Sequence, residues 1–316
     1  MTISVFNNLD LEKLPNVRGS YKSNVEMAPY TWFRVGGVAS VVFRPHDQED
    51  LSKFLMDNSK DVPVTVIGAA SNVLIRDGGI PGVVIKLGKN FSSINFKGDS
   101  VRIGAGLPNN IAARSAVKEG YSGLEFLSGI PGTIGGGLRM NAGAYGKEFK
   151  DILIEAEVID GFGSLKVLSV EELGMSYRKC TIPKNYIFLS GLFKTSKEAT
   201  SKIQMRLDEI KTRRHESQPI TQKTGGSTFK NPIGYKAWKL IDAAGCRGAS
   251  IGGAMVSEQH CNFLINKGSA SATDLENLGN FVQQKVQDAS GIALEWEIKI
   301  LGVLRDSDPK QEGLSL

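Results

Sequence analysis

From about residue 35 to 170 the hydrophobic positions fall into short β-rich runs separated by glycine turns, with helical spacing near residues 47–58 and 109–118. Val64, Val66 and Ile67 read as a short buried strand, followed by the small-residue turn Gly68-Ala69-Ala70-Ser71-Asn72 and a second β-rich run. Residues 197–213 carry Ile203, Leu207 and Ile210 at helical spacing among charges, which predicts an amphipathic helix leading into the last third and a domain boundary near residue 198. Thr273-Asp274-Leu275-Glu276 has the form of a capping box, after which Leu275, Leu278, Val282 and Val286 mark a helix face that ends before Gly291. Residues 293–300 then alternate. Leu294, Trp296, Ile298 and Ile300 point one way and Glu295, Glu297 and Lys299 the other, leaving a polar face free to line a cleft.

The stretch 122–146, SGLEFLSGIPGTIGGGLRMNAGAYG, breaks this rhythm with a dense cluster of glycines. Glycine loses more backbone freedom on folding than any other residue, so such a cluster is unfavourable unless close approach or positive φ is needed. A flexible linker would share the composition. Phe126, Leu127, Ile130, Ile134, Leu138 and Met140 are poor linker residues, however. Backbone N–H groups in such turns form concave anion sites, so a phosphate-bearing cofactor is the natural occupant. There is no GxxxxGK[ST] and no GxGxxG between a strand and a helix. Two phosphate-type turns on short strands suggest a dinucleotide held by a different fold.

At 316 residues the chain can bury a substantial core and divide into two or three domains. With 41% hydrophobic and 22% charged residues it has the composition of a soluble globular protein. No apolar stretch approaches the roughly 18–20 residues of a membrane span. The first residues carry acids and lack a basic start followed by an apolar run, so a cytoplasmic protein is expected. Cys180, Cys246 and Cys261 are too scattered for a disulfide framework or CxxC site, and His46, His215 and His260 are too few for a His-rich metal centre. A net charge of +5 without basic runs suits a small anionic substrate better than a nucleic acid.

Gly225-Gly226-Ser227-Thr228-Phe229-Lys230-Asn231-Pro232 concentrates the candidate chemistry. The two glycines leave the Ser227 hydroxyl uncrowded, and Lys230 and Asn231 supply a cation and an amide suited to a diphosphate or carboxylate. Ser227 could equally be a turn or N-cap serine. No GxSxG elbow surrounds it and no histidine is an evident base, which leaves proton donation as its chemical role. In Tyr177-Arg178 the guanidinium fork could hold a substrate carboxylate or serve a surface salt bridge. Glu297 is either a solvated strand residue or an acid catalyst.

Taken together, TWFRVGG, the GxxSN turn, SGIPGTIGGGLRMNAGAYG, SYR, GGSTFKNP, IGGAMVSEQHCNF and LEWEIKILG resemble, in order, the UDP-N-acetylenolpyruvoylglucosamine reductases, flavoenzymes that make UDP-N-acetylmuramate for peptidoglycan. The resemblance covers nearly the whole chain. It implies an α+β protein with a two-part FAD-binding domain of the vanillyl-alcohol-oxidase/PCMH type and a C-terminal α+β substrate domain. The expected divisions are an N-terminal extension (1–25), FAD-binding subdomains at 26–92 and 93–198, and the substrate domain at 199–316. Noncovalent FAD is expected to contact Arg34, Gly68, Ala69, Ala70, Ser71 and Asn72 on one side. On the other it would meet Gly129, Pro131, Gly132, Thr133, Gly135 and Gly136, with Asn141, Gly143 and Ala144 beyond. The implied catalytic residues are Ser227 as proton donor, Arg178 and Glu297, with Tyr177, Lys230, Asn231 and His260 on the substrate and no metal. NADPH would give a hydride to the flavin, which would pass it to C3 of UDP-N-acetylglucosamine enolpyruvate while Ser227 protonates C2. The expected protein is a monomer without nucleic-acid or membrane partners.

Three departures from the family pattern stand out. Ala70 stands where glycine is common, and Ser217 replaces a lysine before Gln218-Pro219, so that Arg213, Arg214 or Lys223 would have to supply that cation. The segment between Arg178 and Ser227 is short, as in the branch that lacks a tyrosine-bearing loop. Two other readings remain: an FAD oxidase or dehydrogenase of the same fold, with His46 the only candidate for covalent flavin attachment in the N-terminal half, or a UDP-sugar-binding regulator without catalysis.

Overall fold

A computed structural model of the chain describes residues 9–305; the outer ends of the expected N-terminal extension and C-terminal domain lie outside the described residues. In the first unit β1 (Ser20–Glu26), β2 (Val38–Arg44), β3 (Val64–Val66) and β5 (Ile80–Ile85) form a sheet in the order β1-β2-β5-β3, while β4 (Val73–Ile75) leaves it for another partner. Residues 20–25, expected in an extension, are thus an antiparallel strand on β2, with Val25 buried. α1 (Gln48–Asp57) lays Leu51, Phe54 and Leu55 on this sheet after Asp47 caps it. The expected strand at 64–67 forms, but as an edge, so Val64 and Val66 are exposed and only Ile67 is buried.

The second unit is an antiparallel sheet of β6 (Ile94–Lys97), β7 (Ser100–Gly104), β11 (Leu153–Ile159), β12 (Leu165–Ser169) and β13 (Ile187–Lys194), in the order β12-β11-β13-β7-β6. α2 (Asn109–Lys118) and α3 (Ile134–Met140) are apolar on the side that faces its core. Two short pairs complete the unit: β8 (Tyr121–Ser122) with β14 (Ser196–Lys197), and β9 (Gly143–Ala144) with β10 (Lys147–Glu148). The one-turn α4 (Val170–Leu173) follows β12.

α5 (Thr200–Ser217) runs four residues past the expected end, and its buried Ile203 and Leu207 join the core of the second unit. Arg206 adds contacts to Glu125 at 2.6 Å and to Glu198. Packing therefore carries the second unit through α5, beyond the expected boundary near 198.

The third sheet, β15 (Lys223–Ser227), β16 (Ser250–Ile251), β17 (Ala254–Val256) and β18 (Phe263–Asn266), has the order β15-β18-β17-β16. Residues of α6 (Ala237–Ala243) and α7 (Ala272–Ser290) share its core, and Gly291 ends α7 in a left-handed cap. The last described strand, β19 (Lys299–Leu301), is shorter than expected and pairs in parallel with β4, so the third unit reaches back to the first.

Further ties bind the first and third units. Asn266 donates to the Phe33 carbonyl at 2.9 Å, and Arg76 grips Glu276 through two bonds of 2.9 and 2.7 Å. Asp77 accepts from the backbone N–H groups of Ala272 and Thr273. These contacts explain why the capping box of α7 is Ser271/Asp274, not the expected Thr273/Glu276: Asp77 occupies Thr273 and Arg76 occupies Glu276.

Gly279 on α7 leaves room for the Trp296 indole, since a Cβ there would lie 2.0 Å from the ring. Trp296 bridges to Phe229, two residues after Ser227, and directly precedes Glu297. Gly279→Ala is therefore expected to destabilise the protein by about 1–3 kcal/mol through overpacking, read as a lower thermal midpoint; an unchanged midpoint would show that the indole has room to shift.

Candidate active site

The three units line a cleft of about 140 Å³. Ser71 and Asn72 line it from the first unit, Gly129, Gly143, Ala144 and Arg178 from the second, and Ser227, Phe263 and Glu297 from the third. Residues expected to carry the chemistry from positions 178, 227 and 297 thus meet in one place.

Ser227 reaches the cleft through an irregularity in its strand. The β15–β18 register shifts between Thr224 and Ser227, and Gly226 takes φ +82°, a conformation that favours glycine. Gly225 must also be glycine, because a Cβ there would lie 2.3 Å from the Phe33 ring. Beyond the bulge the strand is fixed: Asn262 accepts from Phe229 N–H at 2.9 Å and donates to its carbonyl at 2.8 Å. Thr228 N–H donates to the Asn262 carbonyl at 2.8 Å. Among the described residues the Ser227 hydroxyl has no protein partner, so it is free to act on a bound molecule.

Arg178 sits at the tip of a tight turn closed by reciprocal Ser176 and Lys179 backbone bonds, itself at φ +54°. Its Nε donates to Glu297 at 2.8 Å and its Nη2 to the Gly143 carbonyl at 2.9 Å, while Tyr177 lies under the guanidinium. Both members of the Arg178–Glu297 pair are largely buried. Burial pushes the Glu297 carboxyl above its ordinary value, and Arg178, then Lys230 and Lys299, pull it back. Glu297 is therefore a buried, ion-paired acid and not a solvated strand residue. The polar face of 293–300 does open on the cleft at this residue, while Glu295 and Lys299 are exposed.

Opposite lie the two small-residue turns. A Cβ on Gly68 would come within 2.6 Å of Thr133 Oγ1, and one on Gly132 within 2.9 Å of Ser71 Oγ, so each turn seats against the other only as glycine. Among the described residues, the N–H groups of 68–72, Gly132 and Thr133 donate to no protein acceptor. The buried Asn109 Oδ1 beneath Gly132 is also unpartnered. Seven uncommitted backbone donors on facing turns are what a diphosphate requires, so the residues present fit a dinucleotide. Ala70 adopts φ +47°, which accounts for the glycine common there and leaves alanine mildly strained.

Other expected contacts are placed differently. The Arg34 guanidinium is spent on the Pro29 carbonyl at an exposed position. Asn141 is wholly buried, its amide bonded to Glu148, Ser176 and Lys150. Gly135 N–H is taken by the Ala105 carbonyl and Gly136 N–H by Thr133, which caps α3. Tyr177, Lys230, Asn231 and His260 lie outside the cleft lining. The Tyr177 hydroxyl accepts from Asn231 N–H, Lys230 pairs with Glu295, and His260 packs its ring on Phe263 at 4.8 Å. His46 is exposed before α1, also away from the lining.

Of the three cations considered as substitutes for the lysine at 217, only Arg214 lines the cleft. It bonds Gln218 at 3.4 Å, and burial pulls its guanidinium below the ordinary value. Trp32 and Phe263 line the cleft too; both lie inside motifs legible in the sequence, but no side-chain chemistry singled them out.

Family comparisons agree with this geometry. Residues 218–301 match the model for the UDP-N-acetylenolpyruvoylglucosamine reductase C-terminal domain, and residues 39–169 match an FAD-binding domain. The reductase of Paramagnetospirillum magneticum is 52% identical over 296 residues, 94% of this chain and 96% of that one. That of Rickettsia rickettsii is 53% identical over 289 residues, 92% and 98% of the two chains. The crystal structure of UDP-N-acetylenolpyruvylglucosamine reductase from Thermus caldophilus superposes with a TM-score of 0.79 at 34% identity, covering 91% of this chain and all of that one.

The ion pair makes a pH prediction. A carboxyl whose value rises on folding favours the folded state below its ordinary 4.5 and loses that contribution as pH climbs through the folded value. Arg178→Met removes the main opposing cation and raises that value further. Its thermal midpoint should therefore fall more steeply than wild type above pH 4.5, and adding Glu297→Gln should abolish the difference in slope. Parallel profiles would mean that Arg178 does not hold Glu297 ionised.

Proposed function

The chain belongs to the UDP-N-acetylenolpyruvoylglucosamine reductase family of FAD-containing oxidoreductases, and we propose that Ser227, Arg178 and Glu297 perform its reaction in the cleft between the three units. The substrate is UDP-N-acetylglucosamine enolpyruvate and the product UDP-N-acetylmuramate. When bound, FAD supplies the two-electron chemistry, taking a hydride from NADPH and delivering one to C3 of the enolpyruvyl ether. The free N–H groups of 68–72, Gly132 and Thr133 would hold its diphosphate. The observation that carries the catalytic assignment is the unpartnered Ser227 hydroxyl aimed by a β-bulge at a cleft that also holds the Arg178–Glu297 pair.

As C3 gains a hydride, negative charge builds on C2 and its carboxylate. Arg178 meets that charge with a planar fork that an ammonium could not reproduce. Ser227 gives its proton to C2 and regains one from water; serine is a weak acid, so it serves only where the acceptor is strongly basic and held in position. Glu297 orients the guanidinium and polarises the donor side of the cleft. Arg214 supplies the cation absent at Ser217, facing the anionic substrate. The rim of Tyr177, Lys230 and Asn231 is assigned to the UDP moiety, and His260 acts from behind Phe263.

We place the unit divisions at 9–92, 93–217 and 218–305, the first taking in β1 and the second being extended from the expected 198 because α5 packs on its core. We further propose a cytoplasmic monomer without nucleic-acid or membrane partners, a setting that suits water-soluble nucleotide substrates. Among the described residues no helix is long and apolar enough to cross a membrane.

Anaerobic visible spectra test the assignment. Flavin bands should bleach with NADPH and return on addition of the enolpyruvyl UDP-sugar. In Ser227→Ala the bleaching should persist while the return slows by roughly 10²–10⁴-fold. A return at the wild-type rate would remove Ser227 from proton donation, and a protein that takes up no FAD would leave a nucleotide-sugar binder. Reoxidation only by oxygen would point to the oxidase reading. Arg214→Met should raise KM for the UDP-sugar about tenfold to hundredfold, the worth of a charge-assisted hydrogen bond, and an unchanged KM would exclude Arg214 from binding.

A further inference from the structure

Arg178 has a second acidic neighbour that the reaction as described does not use. Glu148, at the end of β10, places Oε1 3.7 Å from Arg178 Nη1, and both side chains are mostly buried. Its other oxygen accepts from Asn141 Nδ2 at 3.0 Å and lies 3.2 Å from Lys150 Nζ. The Asn141 amide also donates to the Ser176 carbonyl at 2.9 Å, at the base of the turn that carries Arg178. One buried asparagine thus fixes both the acid and the turn.

A substrate carboxylate that takes the Arg178 fork must compete with Glu297, which occupies Nε. Once Glu297 lets go, the remaining tether on Nη2 is the Gly143 carbonyl. A single acceptor leaves a planar group free to pivot about that bond. The Glu148 carboxylate, 3.7 Å from Nη1 and so an ion-pair partner rather than a hydrogen-bond acceptor, opposes the pivot together with the Tyr177 ring beneath the guanidinium.

We propose that Glu148 is a positioning residue for Arg178, holding the guanidinium in its productive plane while Glu297 and the substrate carboxylate exchange places on it. Lys150 balances the added negative charge, so two acids beside one arginine need not repel an anionic substrate.

The test is a double-mutant cycle on the FAD-loaded enzyme with Glu148→Gln, Arg178→Lys and the combined variant. Glu148→Gln keeps the side-chain shape and should retain FAD and the wild-type thermal midpoint while kcat falls by about tenfold, more than KM changes. In the Arg178→Lys background the same substitution should cause no further loss. Additive losses, or wild-type kcat in Glu148→Gln, would overturn the proposal. So would loss of FAD or of the thermal midpoint in both Glu148→Gln and Glu148→Ala, which would make Glu148 a folding residue. The proposal rests on Arg178 meeting the substrate carboxylate. Wild-type turnover by Arg178→Lys alone would sink that assignment, whereas additive losses with a crippled Arg178→Lys would sink only the role of Glu148.

Discussion

The buried ion pair of Arg178 and Glu297, 119 positions apart in sequence, is the contact on which the rest of the site depends. Two charges taken from water are tolerated only when each satisfies the other and their remaining bonding capacity is met, and removing one partner is far more harmful than never having had either. That requirement dictates much of the surroundings. The Gly143 carbonyl, the Tyr177 ring and Glu148 serve the guanidinium, while Thr228 O, accepting from Glu297 N–H at 2.8 Å, places the glutamate against the strand of Ser227. The pair therefore sets the distance between the acid, the cation and the serine at once.

Much of this could be read from the residues. α1 and α2 begin and end within a residue of their apolar periodicity, because their core faces and caps are local. The small-residue turns at 68–72 and 129–136 announced close approach, and the structure brings them face to face through glycines that no larger residue could replace. Alternation placed Glu297 on a polar face, and its burial there converts a surface-like pattern into an active-site acid.

The unread parts are those decided by distant chain. The start of α7 shifts because Asp77 and Arg76, some 200 residues earlier, occupy the side chains and N–H groups that a local box would have used. Val64 and Val66 look like core, but their strand lies at a sheet edge. Asn141 and Arg34 resemble ligand-binding groups within their motifs, and the structure shows Asn141 bonded to Glu148, Ser176 and Lys150 and one Arg34 nitrogen on the Pro29 carbonyl. Arg214 could be shortlisted from charge alone, and only the fold, which faces it to the cleft from α5, distinguishes it from Arg213 on the same helix and Lys223 on β15. Positive φ at Ala70 and Arg178 has no signature in residue type at all.

The clamps between the first and third units have a mechanical consequence. β19 paired to β4, Arg76 gripping Glu276 and Asp77 seated on α7 tie the third unit to the first, while the first shares a buried core of Phe43, Phe54, Ile85, Ile159, Ile187 and Leu189 with the second. α5 stays with the second unit, and the chain crosses to the third just after it. The cleft can then open between the second and third units, and a polar link that such a motion stretches is Arg178–Glu297. The two phosphate-facing turns stay together in that motion, since they belong to the two units that share this core. Admitting substrate and holding the guanidinium in place therefore fall to one joint, while the anion cradle stays whole throughout.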